Sequence, residues 1–303
     1  MSHRVYYHRA DMDGWACAAI YLSKRHKVQL YPIDYGQKFD TTDIEKNDVV
    51  AILDFCPDDP HVVQLIMEQV PVFYWFDHHE SSRKMYEKEK FKDIHTPPGL
   101  FVTDSKENPM AACELLYMYM YDCEYQDIPY YIRLLGRYDV WDHASDPQVL
   151  PFQYAMRAWL GDPRTNFQQW KKLLNPSKSD NQLFQKLIEH GKFIQMYEAK
   201  ESAKKAETLC FEMEFEGRKI LAINRTLESS KFFESIYDPK KHDLILQFAY
   251  HGDFWKLSFR TDKDEVDCSV LAEKFGGGGH QGSSGCVLKE LPEEILKRIY
   301  NNG

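Results

Sequence analysis

Four short apolar runs mark the first half of the chain: Val5–Tyr7, Val28–Tyr31, Val49–Leu53 and Val72–Phe76. The last two are apolar throughout, the pattern of strands buried on both faces of a parallel sheet. Between the runs, the spacing predicts helices over Gly14–Lys24, Pro60–Gln69, Met110–Asp122 and Pro129–Arg137. Strands alternating with helices give a βαβ rhythm. That predicts an α/β domain with a mainly parallel sheet flanked by helices.

From Gly161 to Asn181 the chain turns polar and punctuated, with Asp162-Pro163 and Asn175-Pro176-Ser177. A long helix is expected over Gln182–Glu207, with Leu183, Leu187, Ile188, Ile194 and Tyr197 near one face. A segment of different character follows. Phe211, Met213 and Phe215 alternate with Glu212, Glu214 and Glu216, so Leu209–Glu216 reads as a half-exposed strand. Lys219–Ile223, Leu244–Tyr250 and Phe254–Phe259 are further strands, and Tyr250–Phe254 reads as a hairpin turn. Asp267 suits the cap of a helix running to Phe275, and Glu293–Tyr300 reads as a closing helix. The expected organisation is a first domain over 1–180, a connector helix over 181–207 and a smaller α/β domain over 208–303.

Composition trims the list of functions. An apolar fraction of 43% with 14% aromatics builds a core and excludes wholesale disorder. The longest apolar run, Leu115–Tyr121, is far short of the ~18 residues of a membrane span. The opening Met1-Ser2-His3-Arg4 leads straight into a strand-like stretch with no signal-peptide core. Seven scattered cysteines with no CxxC pair read as reduced thiols, which points to the cytoplasm. A net charge of −9 argues against a protein that grips long duplex DNA. It leaves room for a small anionic substrate held through cations, which reverse the local sign.

The candidate chemistry follows the strands. Val5–Tyr7 runs into His8-Arg9-Ala10-Asp11-Met12-Asp13-Gly14, Val49–Leu53 into Asp54, and Val72–Phe76 into Asp77-His78-His79. Carboxyl ends of parallel strands share one edge of an open sheet, and ligands bind there. These acids and imidazoles are therefore expected to converge. Carboxylates crowded together take up protons unless cations balance them. A mixed carboxylate and imidazole set suits Mn²⁺, and less exclusively Mg²⁺, Co²⁺ or Fe²⁺. Two such ions about 3.5–4 Å apart, bridged by a carboxylate and a water, would supply a hydroxide for in-line attack on phosphorus. Gly136-Arg137-Tyr138-Asp139-Val140-Trp141-Asp142-His143 adds Asp139 and Asp142 as further candidate ligands.

In this order, the HxxDxDG stretch, Asp54, the Asp77-His78-His79 triplet and Asp139 resemble the four motifs of the DHH phosphoesterase superfamily. Gly276-Gly277-Gly278-Gly279-His280, followed by Gln281-Gly282-Ser283-Ser284-Gly285, resembles the glycine-rich signature of its DHHA1 C-terminal domain. The resemblance implies a DHH domain joined by a helical connector to a DHHA1 domain. It implies that His8 and Asp11 hold one metal, that Asp13, His78 and Asp139 hold a second, and that Asp54 bridges them. Asp77 would support the site and His79 would face the substrate phosphate. Gly278, Gly279 and His280 match the residues that hold the nucleotide. Ser258-Phe259-Arg260 resembles the family's SxR strand, which sets Arg260 against a phosphate. The family match favours Asp139 over Asp142. The first motif departs from the HxxPDxDAxGS of the nano-RNase and cyclic-dinucleotide members, with Ala10 at the proline position and His8 three residues before Asp11.

The function implied is that of an Mn²⁺-dependent phosphohydrolase acting on short oligonucleotides or on linear or cyclic dinucleotides. A 3′-phosphoadenosine 5′-phosphate phosphatase, a single-stranded DNA 5′-3′ exonuclease and a non-catalytic nucleotide sensor are the alternatives. A short nucleic acid or nucleotide is the expected partner, with no membrane and no long duplex DNA. A homodimer stays open.

Overall fold

The computed structural model describes residues 1–35, 37–57, 59–89, 109–226 and 228–300. The chain divides into two units, Met1–Gln195 and Met196–Gly303.

In the first unit, β1 (His3–His8), β2 (Val28–Ile33), β3 (Val49–Leu53) and β4 (Val72–Phe76) form a parallel sheet in the order β2-β1-β3-β4. From β1 the chain passes through α1 (Met12–Lys24) to β2 on one side, then returns to β3 on the other. The strand order therefore reverses between β1 and β3, which opens a crevice at their carboxyl ends.

Alternation along the strands feeds two cores. Val5, Tyr7, Ala51, Leu53 and Phe76 pack on one face, and Tyr6, Val50, Ile52, Phe73 and Trp75 on the other. Both faces are dry, which is why β3 is apolar at every position. The first face carries α1, α4 (Ala112–Tyr121), α5 (Tyr130–Asp139), α6 (Val149–Trp159) and α7 (Pro163–Leu174). Phe184 and Ile188 of α8 (Lys178–Leu209) join the same core. On the second face, α2 (Pro60–Gln69) contributes Val63, Ile66 and Met67. α3 (Glu80–Glu89) follows β4.

The helices α3, α6 and α7 go beyond the pattern reading. The stretch read as polar and punctuated holds α7, because Asp162-Pro163 starts a helix there. The Asp162 side chain accepts the N–H of Arg164, and Pro163 stands at the first helical position, where no N–H is needed. Trp170, Leu173 and Leu174 of that helix are buried. In α6, Pro151 likewise sits in the first turn. α8 starts at Lys178, four residues ahead of the expected helix.

The second unit holds a six-stranded sheet in the order β5-β6-β7-β8-β10-β9. Its strands are β5 (Cys210–Phe215), β6 (Arg218–Ile223), β7 (Leu244–Tyr250), β8 (Trp255–Arg260), β9 (Gly278–His280) and β10 (Ser283–Leu288). Only β6 and β7 pair in parallel; the other neighbours are antiparallel. The expected hairpin joins β7 to β8, with Tyr250 opposite Trp255. Asp267 caps α9 (Cys268–Glu273) by accepting the N–H groups of Ser269 and Val270, and α10 (Glu293–Tyr300) follows β10. Among the described residues, no helix is long and apolar enough to cross a membrane.

Candidate metal centre

Register sets the site. Tyr7 of β1 pairs with Leu53 of β3, and Leu53 with Phe76 of β4. The next residue on each strand, His8, Asp54 and Asp77, therefore lies on one rim. The N–H of Asp54 donates to Phe76 O at 2.7 Å, carrying the ladder one step past the strand end. Asp54 has φ at +53°, in the left-handed region, where the chain turns sharply. Aspartate tolerates that region better than most residues.

The start of α1 supplies two more acids. Asp11 caps the helix through Oδ1, which accepts the N–H of Gly14 at 3.0 Å, while Oδ2 lies 2.9 Å from His8 Nδ1. Asp13 is buried in the first turn, and its two oxygens accept the N–H groups of Ala112 and Cys113 at the start of α4. Two fixed donors at a helix N-terminus hold that carboxylate in one orientation. At the end of α5, Asp139 Oδ2 lies 2.9 Å from His78 Nε2.

These side chains form two triads. His8, Asp11 and Asp54 make one, and Asp13, His78 and Asp139 the other, with the donor atoms of each within 4.8 Å of one another. Asp54 serves both sides. Its Oδ2 lies 3.6 Å from His8 Nδ1, and its Oδ1 lies 3.6 Å from His78 Nε2. Asp142 is not part of either triad; it lies 4.0 Å from Arg137 and accepts the N–H of Ser145.

The donor set fits divalent cations on an internal observation. His8 Nδ1, both oxygens of Asp54 and His78 Nε2 are buried and have no hydrogen-bond partner. His8 Nδ1 and Asp11 Oδ2, like His78 Nε2 and Asp139 Oδ2, are close but not aimed at each other as donor and acceptor. Buried polar atoms without partners are costly, and atoms converging on a common point are what a cation requires. Charge agrees. Burial and the Asp11 carboxylate push Asp54 up to about 6, against the pull of His78 and His8. Burial, Asp54 and Asp139 push Asp13 up as well. Burial pulls His8 down, yet Asp11 and Asp54 outweigh it and lift the imidazole to about 11. Protons on the imidazoles thus balance the acids, a task a divalent cation would take over.

Asp77, which forms a third such group with Asp54, His78 and His79, also orients its neighbours. Its Oδ1 accepts the N–H groups of His78 and His79 and lies 2.6 Å from His79 Nδ1, and its Oδ2 accepts the hydroxyl of Ser82. A carboxylate so held fixes the His79 ring with Nδ1–H as donor, leaving Nε2 as its second polar atom. Two neighbours escaped the sequence reading. Asp34, one residue past β2, lies 3.5 Å from His8 Nε2. The Tyr35 ring stands 5.4 Å from that of His8 and 4.9 Å from that of Phe55. Both come from the register of β2 on β1, where Ile33 pairs with His8.

In the second unit, Arg260 ends β8 opposite Ser283 of β10 and Ile245 of β7. Its guanidinium donates to Glu228 O at 3.4 Å, and burial lowers its pKa. Gly278, Gly279 and His280 form β9, and His280 pairs with Ser283. One row of register therefore holds His280, Ser283 and Arg260. The side chain of His280 lies outside the described residues.

Comparison with known proteins supports the fold. The DHH domain of a member of the s1p family of ribosomal proteins aligns over 99% of this chain and 86% of its own, with 16% identity and a TM-score of 0.59. This chain has the DHH-domain fold. Two other solved structures align with it at lower TM-scores. A pGpG-specific phosphodiesterase from Vibrio cholerae aligns over 100% of this chain and 97% of its own, at 12% identity and a TM-score of 0.47. RecJ from Thermus thermophilus, in complex with Mn²⁺, aligns over 99% of this chain and 51% of its own, at 13% identity and 0.48. No protein-family model and no curated protein matches the sequence. Within the DHH-domain fold of this chain, the two triads stand at the reversal of strand order, where open α/β sheets bind ligands.

Proposed function

We propose that this protein hydrolyses phosphoester bonds of short oligonucleotides or of linear or cyclic dinucleotides, working with two divalent cations. His8 and Asp11 hold one, Asp13, His78 and Asp139 hold the other, and Asp54 is shared. The convergence of four buried, partnerless donor atoms from His8, Asp54 and His78 carries the reading. Mn²⁺ suits this mixed carboxylate and imidazole set, with Mg²⁺, Co²⁺ or Fe²⁺ as the alternatives. When bound, such cations activate water at neutral pH and neutralise charge on a phosphoryl group.

The chain's own residues do the rest. Asp77 orients His79, whose Nε2 meets a phosphate oxygen of the substrate. Asp13, clamped by α4, and Asp11, clamped by its own helix cap, keep the triads in shape before any ion arrives. In the second unit, Arg260 offers a planar fork for a phosphate, with Gly278, Gly279 and His280 as nucleotide contacts. Seven free thiols suit a reducing cytoplasm.

The test is a product-resolved hydrolysis panel in Mn²⁺, with a cyclic dinucleotide, its linear form, a short RNA and a longer single-stranded DNA. We expect the short substrates to be cleaved, and Asp54→Ala to abolish cleavage while remaining folded. Near-normal turnover by Asp54→Ala would overturn the shared-ligand assignment.

A further inference from the structure

Val140 caps α5, and Trp141 follows it with φ at +61°, in the left-handed region. The N–H of Trp141 donates to Tyr138 O at 3.2 Å, and that of Asp142 reaches back to Arg137 O at 2.9 Å. Glycine is the usual occupant of a helix end closed in this way, and a bulky aromatic residue is strained there. The indole is also 68% exposed. An apolar ring on a strained backbone, facing water, is unfavourable for the folded chain on both counts. Such residues concentrate at binding and catalytic sites.

The ring is braced. It lies 5.2 Å from the His143 ring, tilted by 37°, and His143 stacks on Tyr138 at 5.0 Å and 25°. The Arg157 guanidinium stands 5.4 Å from the centroid of Tyr138. Tyr138, His143 and Trp141 thus form a layered row. This row surrounds Asp139 in sequence, and Asp139 meets His78 in the second triad. Two peptide steps keep the Cα of Trp141 within about 7.6 Å of that of Asp139. That spacing is comparable to the separation of phosphate and base within a nucleotide.

We propose that Trp141 is the stacking surface for the nucleobase attached to the reacting phosphate. The proposal rests on the metal-centre reading above for the position of that phosphate. Stacking on an indole accepts the π-face of any base, so it confers preference for nucleotides over plain esters with little sequence selectivity.

The test compares two substrates that share a leaving group, thymidine 5′-(p-nitrophenyl phosphate) and methyl p-nitrophenyl phosphate, in Mn²⁺. The readout is the ratio of kcat/KM on the base-bearing ester to that on the base-free one. Loss of one stacked base predicts that Trp141→Ala and Trp141→Gly lower this ratio roughly five- to hundredfold, mainly through KM. Trp141→Phe should restore most of it. Trp141→Gly should melt no lower than the wild type, since glycine suits the turn, which separates stacking from folding. An unchanged ratio in Trp141→Ala overturns the proposal. A second measurement needs no turnover: binding of adenosine 5′-monophosphate by calorimetry. If the wild type cleaves neither ester, the hydrolase reading fails, while weaker binding of adenosine 5′-monophosphate by Trp141→Ala still supports the stacking surface. Equal affinity in the two proteins overturns it.

Discussion

Gly14→Ala tests the link between backbone packing and the metal centre. Gly14 stands in the first turn of α1, and an added Cβ would lie 2.0 Å from His8 O, 2.8 Å from its carbonyl carbon and 2.9 Å from its Cβ. The nearest atoms belong to the backbone of β1, so no rotamer change relieves the clash. Real Cβ contacts do not fall under 3.0 Å, so α1 and β1 must part by about 1 Å. Helix propensity alone predicts the opposite sign, because alanine in place of a helical glycine gains roughly 0.5–1 kcal/mol. Overpacking against fixed neighbours costs roughly 1–3 kcal/mol, and here it wins. A net loss of about 1–2 kcal/mol is expected in urea unfolding. The same shift separates His8, at the end of β1, from Asp11 and Asp13, at the start of α1. Misplacement of about 1 Å at a reacting centre costs on the order of 10²-fold in rate. Mn²⁺ titration by calorimetry and phosphodiester turnover should therefore fall well beyond what the stability loss explains. A Gly14→Ala protein with wild-type stability and unchanged Mn²⁺ affinity would show that α1 and β1 absorb the methyl group without moving the metal ligands.

Burial pushes the Glu114 carboxyl up to about 7 from its ordinary 4.5, against the pull of the Ala111 N–H, Tyr125, Arg137 and Arg133. The fold favours the protonated form, so stability falls as pH rises from about 4.5 through about 7, by up to ~3 kcal/mol. Glu114→Gln keeps an acceptor for Ala111 and should gain on the wild type between pH 5 and pH 8 in denaturant titrations; a constant difference would contradict this. In the second unit, a Cβ at Gly277 would lie 2.1 Å from Gly285 O, whereas one at Gly278 meets nothing within 4 Å. Gly277→Ala should lower the melting temperature and Gly278→Ala should not; the reverse order would count against the packing. Mn²⁺ at about 100 times its dissociation constant should stabilise the wild type by about 2.7 kcal/mol for each ion bound and leave Asp54→Asn without that gain. An equal gain in both would show that the ions bind elsewhere.

The rim of the first sheet is legible in the sequence because β3 and β4 are continuous apolar runs that end in acids. Equal registers then carry His8, Asp54 and Asp77 to one edge without any long-range guess. Helices with other start signals are harder to see. Asp162-Pro163 and Pro151 look like breaks, yet both prolines occupy first turns, where the ring does no harm. α3 has no apolar stripe to betray it: between Glu80 and Glu89 only Met85 and Tyr86 are apolar. Asp34 and Tyr35 are invisible for another reason, since their place beside His8 depends on β2 pairing outside β1. Trp141 reads as one more aromatic until the left-handed turn that exposes it is seen.

The left-handed backbone at Asp54 bears on how this sequence would drift under selection. A glycine there would relax the turn and remove a carboxylate that is 1% exposed and crowded by Asp11 and Asp139. A library screened only for heat resistance should therefore lose this aspartate early, whereas one screened for phosphoester cleavage should retain it in every survivor. The residue marks a point where durability and chemistry pull the same codon in opposite directions.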